Sequence, residues 1–373
     1  MKSMKVALVH DYLAQDGGAE SVLRALHEMW PEAPIFVLFN KKGSVQGIPD
    51  TQIRESFFRF LPFGRTRYQW YLPWMPLATE RHNLHEYDVV ISSTSAFAKG
   101  VLTRPNTLHI SYCHTPTRYL WTDTHEYIAE LRYNRIIKSL LPPILHRMRM
   151  WDKASADRVD HFVANSQTVK KRIAKYYRRP SDVIYPPAHT KDFFISPHLE
   201  NYFLTGGRIV PYKRFDLVVQ AFNRLGLPLK IFGIGPDLDR LKKYAKPNIE
   251  FLGRVNDQEK AQLMSKAQAF IHPQVEDLGI TPIESMASGR PVIAYGVGGV
   301  TETVVPGKTG VFFQDQNWES LFDAVVHFSE QSWDPSAIRE HAQKFSVDHF
   351  SKQMRQYVHT RYDEFLETVE YLK

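Results

Sequence analysis

Short runs of consecutive apolar residues recur along the chain, and between them lie longer segments in which apolar positions return every three or four residues. The first pattern reads as strands buried on both faces and the second as helices covering them, so the alternation predicts doubly wound parallel sheets. In the first half, strands are expected at Val6–His10, Ile35–Phe39, Val89–Ser92, Leu108–Tyr112 and His161–Ala164, with Asn165-Ser166 capping the next helix. A strand ending in paired prolines, Val183 to Pro187, closes this half. The pattern then restarts, with strands expected at Tyr202–Thr205, Leu229–Phe232, Ile249–Phe251, Ala269–His272, Val292–Ala294 and Gly310–Phe313. At 373 residues the chain is long for one hydrophobic core. It divides on this reading into α/β domains at 1–187 and 188–344, with a charged helical segment, Phe345 to Leu372, in the remaining 345–373.

An apolar content of 43% is ordinary for globular cores. No apolar run reaches bilayer-spanning length, and Met1-Lys2-Ser3-Met4-Lys5 leads directly into a strand without a signal-peptide pattern, so a cytosolic protein is expected. A single cysteine excludes an internal disulfide and a thiolate zinc cluster. The formal charge of +7 favours anionic surfaces. Its distribution singles out Arg54 to Trp74, where arginines and aromatics mix with almost no acid, as suits a membrane interface. A second run, Leu131 to Lys153, sets Arg132, Arg135, Lys138, Arg147, Arg149 and Lys153 among Ile136, Ile137, Leu140, Leu141, Ile144 and Leu145; a third, Lys170 to Arg179, has fewer aromatics. Each fits a partly buried helix with a solvated face equally well. No nucleic-acid recognition signature accompanies the charge, so no nucleic-acid partner is expected.

Candidate chemistry centres on Glu276-Asp277-Leu278-Gly279-Ile280-Thr281-Pro282-Ile283-Glu284. Gly279 is expected to open a helix, whose N-terminus offers unpaired amides and partial positive charge, so Gly279, Ile280 and Thr281 can hold a diphosphate by main chain alone. Glu276, ahead of the helix, can accept hydrogen bonds from sugar hydroxyls, and Glu284, inside it, can reach a ribose. By spacing alone, such a pair more commonly marks a solvated helix face. Arg208 and Lys213 fall in the loop between a strand and the amphipathic run Phe215–Leu225, where a guanidinium and an ammonium can stabilise a departing diphosphate. Alone, they would read as solvated loop cations. Gly233-Ile234-Gly235-Pro236 lacks the later glycine of a dinucleotide fingerprint and reads as a tight turn. Asp237 and Asp239 read as helix-start acids in preference to metal ligands. Gly296 to Glu302 fits a turn or a lid. Cys113 and His114 are strand neighbours that point to opposite faces, which sends Cys113 into the core.

Four motifs in this order resemble the family 4 retaining glycosyltransferases of the GT-B fold over nearly the whole chain. They are Lys5 to Tyr12 with Gly17-Gly18-Ala19-Glu20, then Ile110 to Pro116 ending in His114, then Arg208 with Lys213, and finally Glu276 to Glu284. Within that family, Val9 to Leu13 and His114 to Trp121 look most like bacterial mannosyltransferases of O-antigen and exopolysaccharide assembly, although neither segment carries a physical reason to select mannose. The resemblance implies two Rossmann-like domains facing across a cleft, with the terminal helix crossing back to the first domain. It implies metal-independent, retaining transfer of a hexose, mannose from GDP-mannose, to a lipid-linked glycan at the cytoplasmic face of the membrane, with no cofactor. His114, Arg208, Lys213 and Glu276 become the catalytic set. Gly17, Gly18, Val255, Gly279, Ile280, Thr281 and Glu284 join Arg208, Lys213 and Glu276 around the donor, with main-chain atoms of Val255 at the base, and His114 and Glu276 are expected to face one cleft. A UDP-sugar transferase or a nucleotide-sugar epimerase of the same fold, and a catalytically silent nucleotide-binding scaffold, stand as alternatives.

Overall fold

A computed structural model of the protein describes residues 4–125, 128, 135–328 and 330–371. The chain forms two compact units, one made of residues up to Pro186 together with those from Phe350 onward, the other of Pro187–His349. The first holds a seven-stranded sheet in the order β3-β2-β1-β4-β5-β6-β7. Its strands are β1 (Val6–His10), β2 (Ile35–Val37), β3 (Ile53–Glu55), β4 (Val89–Thr94), β5 (Leu108–Cys113), β6 (His161–Ala164) and β7 (Ser181–Val183). Every pairing is parallel. β1, β4 and β5 are buried along their full length, as expected of strands with helices on both faces. The helix Gly18–Met29 packs Val22, Leu23, Leu26 and Met29 against Val6, Leu8, Ile35 and Val37. The last helix, Val347–Tyr371, adds Phe350, Met354 and Val358 to the same core. These three recur every fourth residue and so share one helix face. Fully burying each is worth about 2 kcal/mol, which fixes the end of the chain onto the first unit.

The second unit holds a six-stranded, wholly parallel sheet in the order β10-β9-β8-β11-β12-β13. These strands are β8 (Phe203–Gly206), β9 (Leu229–Phe232), β10 (Ile249–Gly253), β11 (Phe270–His272), β12 (Val292–Tyr295) and β13 (Gly310–Phe313). The helix Phe215–Leu225 buries Phe215, Val218, Val219 and Phe222 against Leu229, Ile231 and Ile271, and stops at Gly226, whose φ of 67° few other residues adopt readily. The helix Asp257–Lys266 starts in a reciprocal capping box between Asn256 and Glu259. Gly233 and Gly235 do more than turn the chain. Cβ atoms built on them would lie 1.8 Å from the Gly207 carbonyl oxygen and 2.0 Å from the Ile209 carbonyl oxygen. The loop after β8 lies directly on the loop after β9, joined by Gly207 N–H to the Phe232 carbonyl at 3.0 Å and Ile209 N–H to the Ile234 carbonyl at 2.9 Å.

Several sequence expectations shift. β3 was hidden because an edge strand of three residues with an outward Arg54 has too little apolar pattern to register, and it occupies the start of the aromatic and basic run. β7 ends at Val183, ahead of the prolines, which have no N–H for a ladder. β2 stops at Val37 because Leu38 and Phe39 leave the ladder to pair with the loop after β1, through Leu38 N–H to the Asp11 carbonyl and Leu13 N–H to the Phe39 carbonyl. In the run Leu131 to Lys153, Leu131, Arg132 and the side chains of Arg135, Ile136 and Ile137 lie outside the described residues, as does Leu372 at the end of the terminal segment.

The two classes of glycine should separate in stability. Gly226→Ala meets nothing within 4 Å and retains only the left-handed φ, so its cost should be on the order of 1 kcal/mol. Gly235→Ala must move the loop after β8 and should cost roughly 1–3 kcal/mol. Urea unfolding with a fixed m-value measures both; a Gly235→Ala variant as stable as the parent would show that the loop yields freely.

Candidate functional site

In the second sheet the winding reverses between β8 and β11, the place where open parallel sheets leave a crevice at their strand ends. The loop after β8 carries Gly207, Arg208 and the short turn Pro211–Lys213. β11 ends in His272, and Gln274 and Glu276 follow. Lys213 Nζ lies 2.9 Å from Glu276 Oε1, and Gln274 donates an N–H to the same oxygen at 3.4 Å. His272 Nε2 stands 4.0 Å from Glu276 Oε2. Burial pushes the Glu276 carboxyl up, but His272, Lys213 and the hydrogen bonds from Lys213 and Gln274 outweigh it and hold the group below its ordinary value. Burial lowers His272 to about 4. Its imidazole is therefore uncharged at neutral pH, and the standing counter-charge to Glu276 is the Lys213 ammonium.

Glu276 leads into Gly279, whose φ of 88° starts the helix Ile280–Ala287 with no side chain capping it. The amides of Gly279, Ile280 and Thr281 thus sit at an open helix N-terminus. A Cβ on Gly279 would lie 3.4 Å from His272 Nε2. The segment Glu276–Leu278 is backed by Gly298 and Gly299, with Gly299 N–H donating to the Glu276 carbonyl at 2.9 Å and a Cβ on Gly299 reaching 2.1 Å from the Asp277 carbonyl oxygen. Gly298 and Gly299, within the Gly296 to Glu302 stretch, thus pack against the acidic segment, and Val300–Thr303 is helical. The Arg208 side chain is exposed and, among the described residues, has no hydrogen-bond or ion-pair partner. Glu284 pairs with Lys260 at 2.9 Å. Val255 follows β10 and lines a cavity of about 380 Å³ with Tyr202, Lys230, Arg254 and Lys266, none of which belongs to the Lys213–Glu276 cluster. Asp237 is held by Arg240 through two hydrogen bonds.

The first sheet repeats the arrangement, with its winding reversed between β1 and β4. The Asp11 carboxylate, just past β1, accepts the main-chain amides of Ser95, Ala96, Phe97 and Ala98 at 2.7–2.9 Å, which ties the ends of β1 and β4 together. His114 follows β5, its N–H donating to the Thr94 carbonyl at 2.9 Å. Its Nε2 lies 2.8 Å from Ser93 Oγ, and its ring meets Tyr112 edge-on at 5.4 Å. Burial, reinforced by His10, lowers His114 to about 3. Gly17 caps the helix that begins at Gly18, with Glu20 in the first turn. Cys113 is buried in the core.

Among the expected site residues, the second unit brings together Lys213, Glu276 and the start of the Gly279 helix. Arg208 shares the Lys213 loop, its side chain making no hydrogen bond or ion pair among the described residues, and Glu284 is engaged by Lys260. His114, Gly17 and Gly18 belong to the first unit. His272 and Gln274 were missed. Both are buried, and among the described residues neither ring nitrogen of His272 nor Gln274 Oε1 has a hydrogen-bond partner. A histidine closing an otherwise apolar strand was the available signal.

The family model described as Glycosyltransferase Family 4 matches residues 16–192, and that described as Glycosyl transferases group 1 matches 188–345. The O-antigen chain mannosyltransferase RfbU of Salmonella typhimurium is 31% identical over 202 residues, 48% of this chain and 56% of that protein. A GDP-mannose-dependent alpha-(1-6)-phosphatidylinositol monomannoside mannosyltransferase of Mycobacterium tuberculosis is 35% identical over 137 residues, 32% of this chain and 36% of that protein. The chain spans only about half the length of the curated relatives it matches. The crystal structure of Anabaena Alr3699/HepE in complex with UDP superposes with a TM-score of 0.70 over 96% of this chain and all of the other, at 17% identity. That likeness establishes the fold, GT-B.

Buried neutral histidines give the fold an acid limit. His109 is lowered by burial to about 3 and His272 to about 4, both from 6.5. Below pH 6.5 the unfolded chain protonates these rings and the folded chain does not, so stability present above pH 6.5 is lost as pH falls toward 4. The slope should approach roughly 1.4 kcal/mol per pH unit for each such ring. Urea unfolding at stepped pH measures it, and His272→Gln should flatten the profile. An unchanged slope in that variant would show that His272 protonates freely in the folded state.

Proposed function

Because the chain belongs to glycosyltransferase family 4, we propose that it transfers a hexose, mannose from GDP-mannose, with retention, to a lipid-linked glycan at the cytoplasmic face of a membrane. The observation that carries this reading is the Lys213–Glu276 pair at 2.9 Å beside an uncapped helix N-terminus, with an exposed Arg208 on the same loop as Lys213. The helix amides receive the diphosphate, and Arg208 and Lys213 neutralise charge as it departs. The bond between the anomeric carbon and the phosphate oxygen breaks, and the acceptor oxygen bonds to that carbon on the same face. The acceptor proton passes to the released phosphate oxygen. Glu276, held ionised by Lys213, accepts hydrogen bonds from the sugar, and Glu284 serves the ribose once its contact with Lys260 opens. A carboxylate already engaged by an ammonium and an amide is a poor nucleophile, which favours this orienting role over a covalent intermediate. His114 orients the donor sugar, and Gly17 and Gly18 leave room for the donor. Main-chain atoms of Val255 read the base. The names of the Salmonella and Mycobacterium relatives support mannose and GDP-mannose.

Membrane contact is assigned to the run from Phe57 onward. Phe60, Phe63, Trp70, Trp74 and Leu77 are exposed, with Arg59 lying over Phe60 and Arg67 over Trp70 at 4.4 and 4.7 Å. Paired aromatics and guanidiniums of this kind suit an anionic headgroup layer. Leu140 and Met150, exposed on the helix Arg135–Ala156, extend the same chemistry. Among the described residues no helix is long and apolar enough to cross a membrane. The third basic run contributes less, because Arg179 donates to the carbonyls of Ala156, Asp157, Val159 and Asp160.

Replacing Arg208 or Lys213 by Ala should lower turnover of GDP-mannose about a hundredfold or more, with a smaller loss of donor affinity, because the bridging oxygen gains charge only as its bond breaks. Arg208→Lys should restore part of the rate. Turnover is measured beside calorimetric donor affinity, and near-normal rates in both alanine variants would remove the leaving-group assignment. For the membrane, retention on phosphatidylglycerol vesicles should fall as salt rises and should drop in a Phe60→Ser, Trp70→Ser variant. Equal failure to bind neutral and anionic vesicles at low salt would refute the surface assignment.

A further inference from the structure

Behind His114 lies a line of buried polar groups contained wholly in the first unit. Ser93 Oγ, on β4, stands 2.8 Å from His114 Nε2 and 3.1 Å from His10 Nδ1. The other ring nitrogen of His10, Nε2, lies 3.7 Å from Glu20 Oε1. Glu20, His10 and Ser93 are 5%, 4% and 0% exposed, so this line is shielded from bulk water. His114 Nδ1 has no hydrogen-bond partner among the described residues.

A serine hydroxyl donates one proton, so the bridge can run in only two directions while both rings are neutral. If His10 carried its proton on Nδ1, its Nε2 lone pair would face the Glu20 carboxylate, which is repulsive. With the proton on Nε2, that N–H points at the carboxylate, too far for a hydrogen bond but favourable in a low-dielectric interior. Ser93 then donates to His10 Nδ1 and must accept from His114 Nε2–H. We propose that Glu20, His10 and Ser93 are positioning residues that fix His114 as its Nε2–H tautomer, leaving Nδ1 as the acceptor for a hydroxyl of the transferred sugar. The sugar contact rests on the hexosyltransferase reading; the tautomer does not. Glu20 enters from the first turn of the helix that Gly17 opens, where the helix dipole favours a carboxylate. A Cβ on Gly17 would lie 3.3 Å from Glu20 Oε2, so this glycine also leaves space for the carboxylate that sets the direction of the line.

The tautomer is read directly from two-bond 15N–1H correlation spectra of the full chain labelled at histidine, with His114→Gln supplying the assignment. The parent should show His114 protonated at Nε2. Glu20→Gln, which preserves size, should move the population toward the Nδ1–H form. Ser93→Ala should do so more fully, and Ser93→Thr, which keeps the hydroxyl, should restore the parent signature. In parallel, Ser93→Ala should lower kcat roughly tenfold, the scale of one hydrogen bond, with donor affinity less affected and the rate recovered in Ser93→Thr. A parent spectrum with His114 protonated at Nδ1, or a Glu20→Gln spectrum identical to the parent, overturns the proposal whatever the activity. A spectrum that responds as expected while His114→Ala turns over GDP-mannose normally overturns the sugar contact alone.

Discussion

Both sheets are wholly parallel, and the rest of the molecule depends on that constraint. A parallel ladder brings every strand to the same edge at its C-terminal end, and each crossover must leave from there. Residues far apart in sequence therefore meet without any long loop. His10, Ser93 and His114 come from three strand ends in the first unit. The turn of Lys213 and the end of β11 at His272 meet in the same way in the second. The cost is that side chains at these ends are half-enclosed by neighbouring loops, so each polar group needs a partner or a reason to lack one.

The partners chosen differ in kind. Asp11 satisfies a carboxylate with four main-chain amides and brings in no cation, which makes it a clamp between β1 and β4. Lys99 and Asp152, each 1% exposed, are a buried ion pair, and Thr117 and Trp121 also donate to Asp152, so its remaining lone pairs are met. Lys213 and Glu276 are 13% and 23% exposed at their side chains, open enough that an incoming anion can compete for the ammonium. A fully enclosed pair would hold its geometry too firmly to exchange partners. A fully solvated one would be worth little. The intermediate burial lets one lysine hold Glu276 ionised while both groups stay open to solvent.

Much of this was legible in the sequence, because apolar runs, capping residues and glycines report local constraints. β1, β6, β9 and β13 and the helix Phe215–Leu225 fall where the pattern put them. Gly279 opens its helix for the reason its position suggested. What the sequence hid was long-range. Gly233 and Gly235 looked like a turn, and the carbonyls that require them belong to Gly207 and Ile209, more than twenty residues earlier. His272 looked like the last residue of a core strand, and only the approach of Glu276 and Gly279 gives it a setting. Ser93 lay just past the strand expected at Val89–Ser92, and its polarity had no visible partner until β1 and β5 were placed beside it.

The two units also divide the electrostatics. In the second, charge is kept: Lys213, the ionised Glu276 and the positive end of the Gly279 helix lie together, with the exposed Arg208 on the Lys213 loop. His114 itself is uncharged, since burial lowers its pKa to about 3, and its Nε2 lies 2.8 Å from a serine hydroxyl. A diphosphate needs cations and amides, whereas a sugar hydroxyl needs an acceptor of fixed direction that carries no charge of its own. A protonated His114 would add a cation and lose its acceptor at the same time. Its depressed pKa therefore keeps the ring a neutral hydrogen-bond partner.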